Sequence, residues 1–439
     1  MDYKMKNLRK IAGISIFFIL FFMVIALLRF QSHDDLQLLP DQLEIFYNEN
    51  WVKAILDVKE VSQVELKNQK QMQTLVNEAI EEKGENITLP YAGESNPGDT
   101  VIFRNILSPD YAGLTMNFAT TNAMVRVILD GQEIYKYDFE GNVFEKSMKS
   151  SNHFVDIPNV IQDGELWIMM SSLSPNVAAT LDGMIIESRD MVVIGMVGNN
   201  IADIGCCLLI ALMAIIMFVL AMIRRYTRQP ARGEVFLGLL GLSSGIYCFI
   251  GTDTLNIFYN VQEAYETQEY LVLLIPLFLA MYFEKNLQTM FPRRFSLLLW
   301  GMMFNAAAQI LLHILGIRSL EKMLNITAAA VAVICVVAIV SLVQYDYRNK
   351  GYRTILSVIA MLVLLSGEIV NLFMNIFFEH GYGNTAGMFS MAVFSIMMAV
   401  LHTLQISKEY RASAEENARL LAEEVKAAEQ QNIQFVQAK

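Results

Sequence analysis

The chain has 439 residues, 54% of them hydrophobic, and a formal net charge of −11. Such content fits a polytopic membrane protein carrying one soluble domain. The acidic balance argues against nucleic acid as a partner, and Cys206, Cys207, Cys248 and Cys335, all in apolar runs, offer neither a disulfide framework nor zinc-type spacing.

Residues 1–10 carry Lys4, Lys6, Arg9 and Lys10, and an apolar run over 11–28 follows. The basic start puts the N-terminus in the cytoplasm by the positive-inside rule. The run leads into Leu27-Leu28-Arg29-Phe30-Gln31, without the small-x-small pattern of a cleavage site, so it reads as an uncleaved transmembrane signal anchor.

Residues 33–190 read as an extracytoplasmic all-β sandwich. The stretch from Arg29 to Gly195 holds 26 acidic against 12 basic residues and no cysteine. Residues 61–83 are polar, Gln-rich and free of Pro and Gly, which predicts one helix or a long loop. Beyond Ile87 the apolar period becomes two: Leu114, Met116 and Phe118 alternate with Thr115, Asn117 and Ala119, as in a half-buried strand. Val125, Val127 and Leu129 repeat the pattern, and Asp130-Gly131 separates them from 133–137, a hairpin signal because the tight turn needs positive φ. Further strands are predicted at 101–107, 153–157, 166–170 and 184–187. Many short strands between turn residues argue for an antiparallel sandwich.

The order Asn50-Trp51, Leu89-Pro90, Gly98-Asp99, then 114–118, 125–135, His153-Phe154-Val155-Asp156-Ile157-Pro158 and Gly164-Glu165-Leu166-Trp167-Ile168 carries a resemblance. It resembles the jelly-roll external domain of bacterial seven-transmembrane receptors with diverse intracellular signalling modules, domains that are similar to carbohydrate-binding jelly rolls. The apolar block that follows resembles the same family, so the likeness covers about 50–406. The resemblance implies a receptor but not its ligand, and fixes no ligand residue; an unknown small molecule or carbohydrate is the expected ligand. Tyr91, Tyr111, Tyr135, Tyr137 and Trp167 are candidates to stack on a sugar, against the alternative that aromatics at strand spacing fill the core.

Residues 195–406 form a seven-helix transmembrane domain in this reading, with spans at 199–223, 234–251, 270–284, 296–316, 323–344, 354–378 and 385–406. Their apolar runs are continuous, so they are helices and not barrel strands. Arg224, Arg225, Arg228 and Arg232, then Lys285, Arg293 and Arg294, then Arg348, Lys350 and Arg353 mark the cytoplasmic loops, and only Arg318 and Lys322 oppose the pattern. Both termini are thereby cytoplasmic and residues 29–195 extracytoplasmic.

Polar groups inside the spans fall on shared helical faces. Asn305, Gln309 and His313 lie at i, i+4 and i+8, and Glu368, Asn371 and Asn375 at i, i+3 and i+7. With Asp203 they are candidates to line a ligand cavity in the outer half of the membrane; interhelical hydrogen bonding is the alternative.

Gly241-Leu242-Ser243-Ser244-Gly245 matches the nucleophile-elbow pattern but sits inside an apolar helix, the wrong context. A retinal-type lysine in the last span, a Gly-Gly pair for a diguanylate cyclase motif and a histidine after His402 for a kinase helix are all lacking. No catalytic residue, metal site or cofactor is expected within 1–439.

Residues 407–439 read as a cytoplasmic signalling helix. Ala414, Leu421, Ala428 and Phe435 fit position d of a heptad, and Ala418, Val425 and Asn432 position a, as in a parallel coiled-coil homodimer. In the resembling family such a helix leads into a histidine kinase or cyclase, so a further domain or a partner would supply the output. The alternatives are a small-solute transporter with a tethered binding domain and a membrane-anchored adhesion module.

Overall fold

The computed structural model describes residues 16–24, 45–56, 69–94, 99–120, 123–137, 151–171, 178–227, 233–252, 254, 262–287, 291–315, 317–318, 320, 323–349, 352–377 and 384–437. Helix α1 covers 16–24, within the expected anchor. A strand-rich region follows, then a set of long apolar helices.

Twelve strands lie among the described residues: β1 (Ile45–Phe46), β2 (Trp51–Leu56), β3 (Glu85–Ile87), β4 (Tyr91–Glu94), β5 (Thr100–Leu107), β6 (Thr115–Thr120), β7 (Met124–Leu129), β8 (Gln132–Tyr137), β9 (Ser151–Asp156), β10 (Gly164–Ser171), β11 (Ala178–Leu181) and β12 (Ile185–Glu187). One sheet runs β3-β2-β5-β10-β7-β8. The other is centred on β6, with β9 along one edge, β12 and β11 along the other, β1 on β12 and β4 on β11. Every pairing is antiparallel. The strands expected around 101–107, 114–118, 125–137, 153–157, 166–170 and 184–187 are present. At the β7–β8 turn Asp130 and Gly131 adopt φ of 49° and 76°, the positive values the hairpin signal requires.

Alternation builds the core. Phe103, Val127 and Ile168 of the first sheet and Met116, Phe118, Val155 and Ile186 of the second face each other around Trp51, which is fully buried. The Trp51 indole donates to the Tyr47 carbonyl at 2.9 Å. Helix α2 (Gln69–Lys83) settles the helix-or-loop alternative for its residues; 57–68 lie outside the described residues. Val76 and Ala79 of α2 cover Ala54, Ile102, Trp167 and Met169 on the outer face of the first sheet, in a second small core.

β12 passes through Ser188 directly into α3 (Arg189–Tyr226). The junction is held by an Arg189–Asp156 ion pair at 2.5 Å, and Asp156 also accepts from Thr115 at 2.8 Å. The remaining helices are α4 (Glu234–Ile250), α5 (Gln262–Leu287), α6 (Pro292–Ile314), α7 (Leu324–Asn349), α8 (Tyr352–Phe377) and α9 (Asn384–Gln437). Neighbours α3, α4, α5, α7, α8 and α9 close a ring, and α6 packs outside it against α5. Leu297, Trp300 and Phe304 of α6 are exposed, as on a lipid-facing helix. Phe22 of α1 is buried against Val363, Val370, Met374 and Ala386 of α8 and α9.

Six of these helices are long and apolar enough to cross a membrane, which makes this a multi-pass membrane protein. Of the seven expected spans, the second is the exception: α4 has 17 residues, about 25 Å at 1.5 Å per residue against a hydrocarbon core of about 30 Å. It starts at Glu234, turned inward after Gly233, and stops at Gly251. The third departs in the other direction. Expected at 270–284, it runs from Gln262 to Leu287, because polar Gln268 and Glu269 continue the helix and are buried by its neighbours.

Candidate functional site

A buried network of polar side chains lies at the end of the bundle far from the sandwich, built by four helices. Arg224 comes from the last turn of α3 and Glu234 from the first residue of α4. Gly233 holds the chain between them at φ 88°, where a Cβ would come within 3.0 Å of the Tyr282 ring. Tyr282 belongs to α5, and His402, Gln405 and Glu409 to α9. The Arg224 guanidinium meets Glu234 at 2.5 Å and Glu409 at 2.9 Å. His402 bridges: its Nδ1 is 3.3 Å from the Glu234 carboxylate and its Nε2 3.1 Å from the Tyr282 hydroxyl. Gln405 donates to the second oxygen of Glu409 at 3.0 Å. Arg224, Glu234 and His402 have no solvent exposure.

The position of Glu234 is favourable twice over. A carboxylate at a helix N-terminus meets the positive end of the helix dipole, and the guanidinium supplies the counter-charge that burial demands. The knot fixes how α9 leaves the ring. Beyond Glu409, α9 continues as one helix to Gln437, and its residues 410–428 are exposed.

The residues singled out in the spans fall into two groups nearer the sandwich. Gln309 and His313 are buried between α5, α6 and α7: Gln309 shares a hydrogen bond with Thr327 at about 3.3–3.4 Å, and the His313 ring lies edge-on to Tyr270 at 6.2 Å. Asn305 is half-buried on the same face of α6. Asp203 of α3 and Glu368 of α8 belong to the second group. Asp203 is buried within electrostatic reach of Cys206 and Cys207 on its own helix, and Glu368 lies within electrostatic reach of Cys248 and Cys335. Asn371 faces Gly387 of α9, where a Cβ would come 3.2 Å from its amide nitrogen; its carbonyl oxygen is buried without a hydrogen bond. Asn375 lies on α8, and its side chain is outside the described residues. The contacts of Gln309 and His313 are thus to α5 and α7, and those of Glu368 and Asn371 to α4, α7 and α9.

In the sandwich, Tyr135 and Tyr137 meet at a residue the sequence reading used only as part of a strand. His153 is fully buried, with Nε2 2.7 Å from the Thr120 hydroxyl and Nδ1 3.0 Å from the Tyr135 hydroxyl, and it is ringed by Phe118, Tyr135 and Tyr137. Burial pushes the imidazole down to about 3 and the Tyr135 phenol upward. Tyr91 packs edge-on to Phe103 and takes a hydrogen bond from Lys53 at 3.0 Å. Tyr111 packs on Tyr47, whose hydroxyl donates to the Ile106 carbonyl. Trp167 lies under α2, its indole N–H buried without an acceptor. Tyr137 and Trp167 therefore present no face to a sugar; Tyr91, Tyr111 and Tyr135 are half-buried.

The knot leaves little trace in the sequence. By sequence Arg224 is one of several basic residues after an apolar run, and Glu234 is the first residue of the next. One signal was available: His402 is the sole ionisable residue between 385 and 406, and such groups in spans face protein. No family model matches this sequence, and no curated protein is significantly similar to it.

Replacing Arg224 by Leu leaves the buried Glu234 uncompensated, and a loss of about 3–5 kcal/mol in bundle stability is expected. The double variant Arg224→Leu, Glu234→Leu is expected to recover most of it, as measured by thermal unfolding in detergent. For the sandwich, the depressed folded-state value of His153 means that the unfolded chain takes up the proton first as pH falls below about 6.5. Stability due to this group is complete above that value and declines towards pH 3. Relative to a His153→Gln variant, the protein is expected to lose about 2–3 kcal/mol by about pH 4.5, read as converging melting temperatures.

Proposed function

We propose that the chain is a transmembrane receptor that passes a signal from its sandwich, or from polar groups in the nearer half of the bundle, to the projecting end of α9. The observation that carries this reading is the continuity of α9: one 54-residue helix is both a wall of the bundle and the projecting arm. Signals cross such a connection as a change in helix position, without chemistry in this chain. The buried knot at His402 and Glu409 is the two-state element on this reading, holding or releasing α9 against α3, α4 and α5.

The finer description follows the same line. The short α4 counts as a seventh membrane crossing, and the paired antiparallel sheets as a jelly-roll, carbohydrate-binding-like sensor outside a bacterial cell. Both termini are then cytoplasmic. Ala414, Ala418, Leu421, Val425, Ala428, Asn432 and Phe435 form the seam of a parallel dimer; the first five are exposed, and the last two have side chains outside the described residues. A histidine kinase or diguanylate cyclase, as a further domain or a partner, reads the geometry of that pair.

A transporter is the second reading, favoured by the placement of Glu368 within electrostatic reach of cysteines on the neighbouring helices α4 and α7. It predicts solute flux in proteoliposomes that disappears in Glu368→Gln.

The receptor reading is tested with Ala412→Pro, in the exposed helix past the last residue the bundle grips. Proline breaks the helix locally, at about 3 kcal/mol. The bundle is expected to melt as before, while cross-linking at an introduced Leu421→Cys stops responding to ligand. A response that survives the proline sinks the proposed route.

A further inference from the structure

We infer that the bundle-facing end of the sandwich inserts into the headgroup region of the leaflet it faces, through Ile161, Ile106 and Phe46. Among the described residues from 45 to 187, the large hydrophobic side chains left exposed are Ile45, Phe46, Ile106 and Ile161. Ile161 is 97% exposed, and Phe46 and Ile106 are 61% and 62% exposed.

All four lie at one end. Ile161 is in the turn between β9 and β10; β9 ends at Asp156, which is ion-paired to the first residue of α3. Ile106 is the second-last residue of β5, opposite Glu165 at the start of β10. Ile45 and Phe46 pair with Ile186 and Ile185, just before the chain enters α3. The membrane-spanning helix therefore leaves the sandwich where its apolar surface is concentrated. Scattered exposed apolar residues need no explanation, but a set confined to one end does.

Lipid is the occupant that the geometry favours. Ile194, Val197 and Ile201 of α3 are exposed too, so apolar surface continues from the sandwich down the helix. From Arg189 to Ile194 the helix rises about 8 Å, comparable with the roughly 5–8 Å that headgroups add on each side of the hydrocarbon. Tyr111, in the short turn Pro109–Tyr111 between β5 and β6, adds an aromatic of the kind enriched at that depth. Asp110 and Asp163 are exposed beside the patch, which suits zwitterionic lipid over anionic lipid. The inference holds whichever side of the bilayer the sandwich occupies.

The test uses the full chain in phosphatidylcholine proteoliposomes, with an environment-sensitive maleimide on an introduced Ile161→Cys and, separately, on Ser171→Cys at the other end of β10. The unmodified chain, reacted in parallel, gives the background from native cysteines. Insertion by about 5–10 Å predicts blue-shifted emission at 161, quenched roughly twofold by lipids carrying a shallow nitroxide, and neither effect at 171. Water-like emission at 161 overturns the inference. So does a blue shift without lipid quenching, which would mean that protein, from the bundle or a second copy, covers the patch. Equal quenching at both positions overturns the end-on placement.

Discussion

A buried charge must find its counter-charge within the protein, and one end of this bundle is arranged around that requirement. Arg224 and Glu234 sit on either side of the connection between α3 and α4, both without solvent exposure, and neither is tolerable there alone. Their pairing draws in His402 and Glu409 from α9 and, through the histidine, Tyr282 from α5. Four helices are thereby held in one register at a single level of the bundle. A buried ion pair often stabilises no more than apolar side chains of similar volume; what this one supplies is discrete partners for each of the four helices.

At the other end of the bundle the restraint is steric. A Cβ on Gly367 would overlap the Ser390 side chain, so α8 and α9 approach each other there more closely than any larger residue permits. The same helix, α9, is therefore packed by contact near the sandwich and by charge at its far end. On the receptor reading these are two different kinds of hold on one rod. The first resists separation, whereas the second has discrete partners that can be exchanged.

Much of the fold was legible because its periodicities are strong. Val125 to Tyr137 announces a hairpin by alternation and by Asp130-Gly131, and the structure places both turn residues at positive φ. Apolar runs likewise announce the helices. Helix ends were harder: α5 begins at Gln262, well before the apolar residues that suggested it, because Gln268 and Glu269 are sheltered by neighbours that hydropathy does not see. The knot was illegible for a related reason. Arg224 and Glu409 are far apart in sequence, and an arginine at the end of an apolar run looks the same whether it meets water or a carboxylate. In the sandwich, alternation identified the strand containing His153, yet only the register of β6 on β9 sets the histidine beside Thr120 and its ring among the tyrosines.

Helix α1 bears on how force could reach α9. Phe22 seats this N-terminal helix against α8 and α9, while α3 flanks α9 from another side. In sequence the sandwich lies between α1 and α3, and both of these helices border the same rod. On the receptor reading, a tilt of the sandwich is carried into α3 through its ion-paired junction and acts on α9 as a torque, with α1 bracing another flank of the rod.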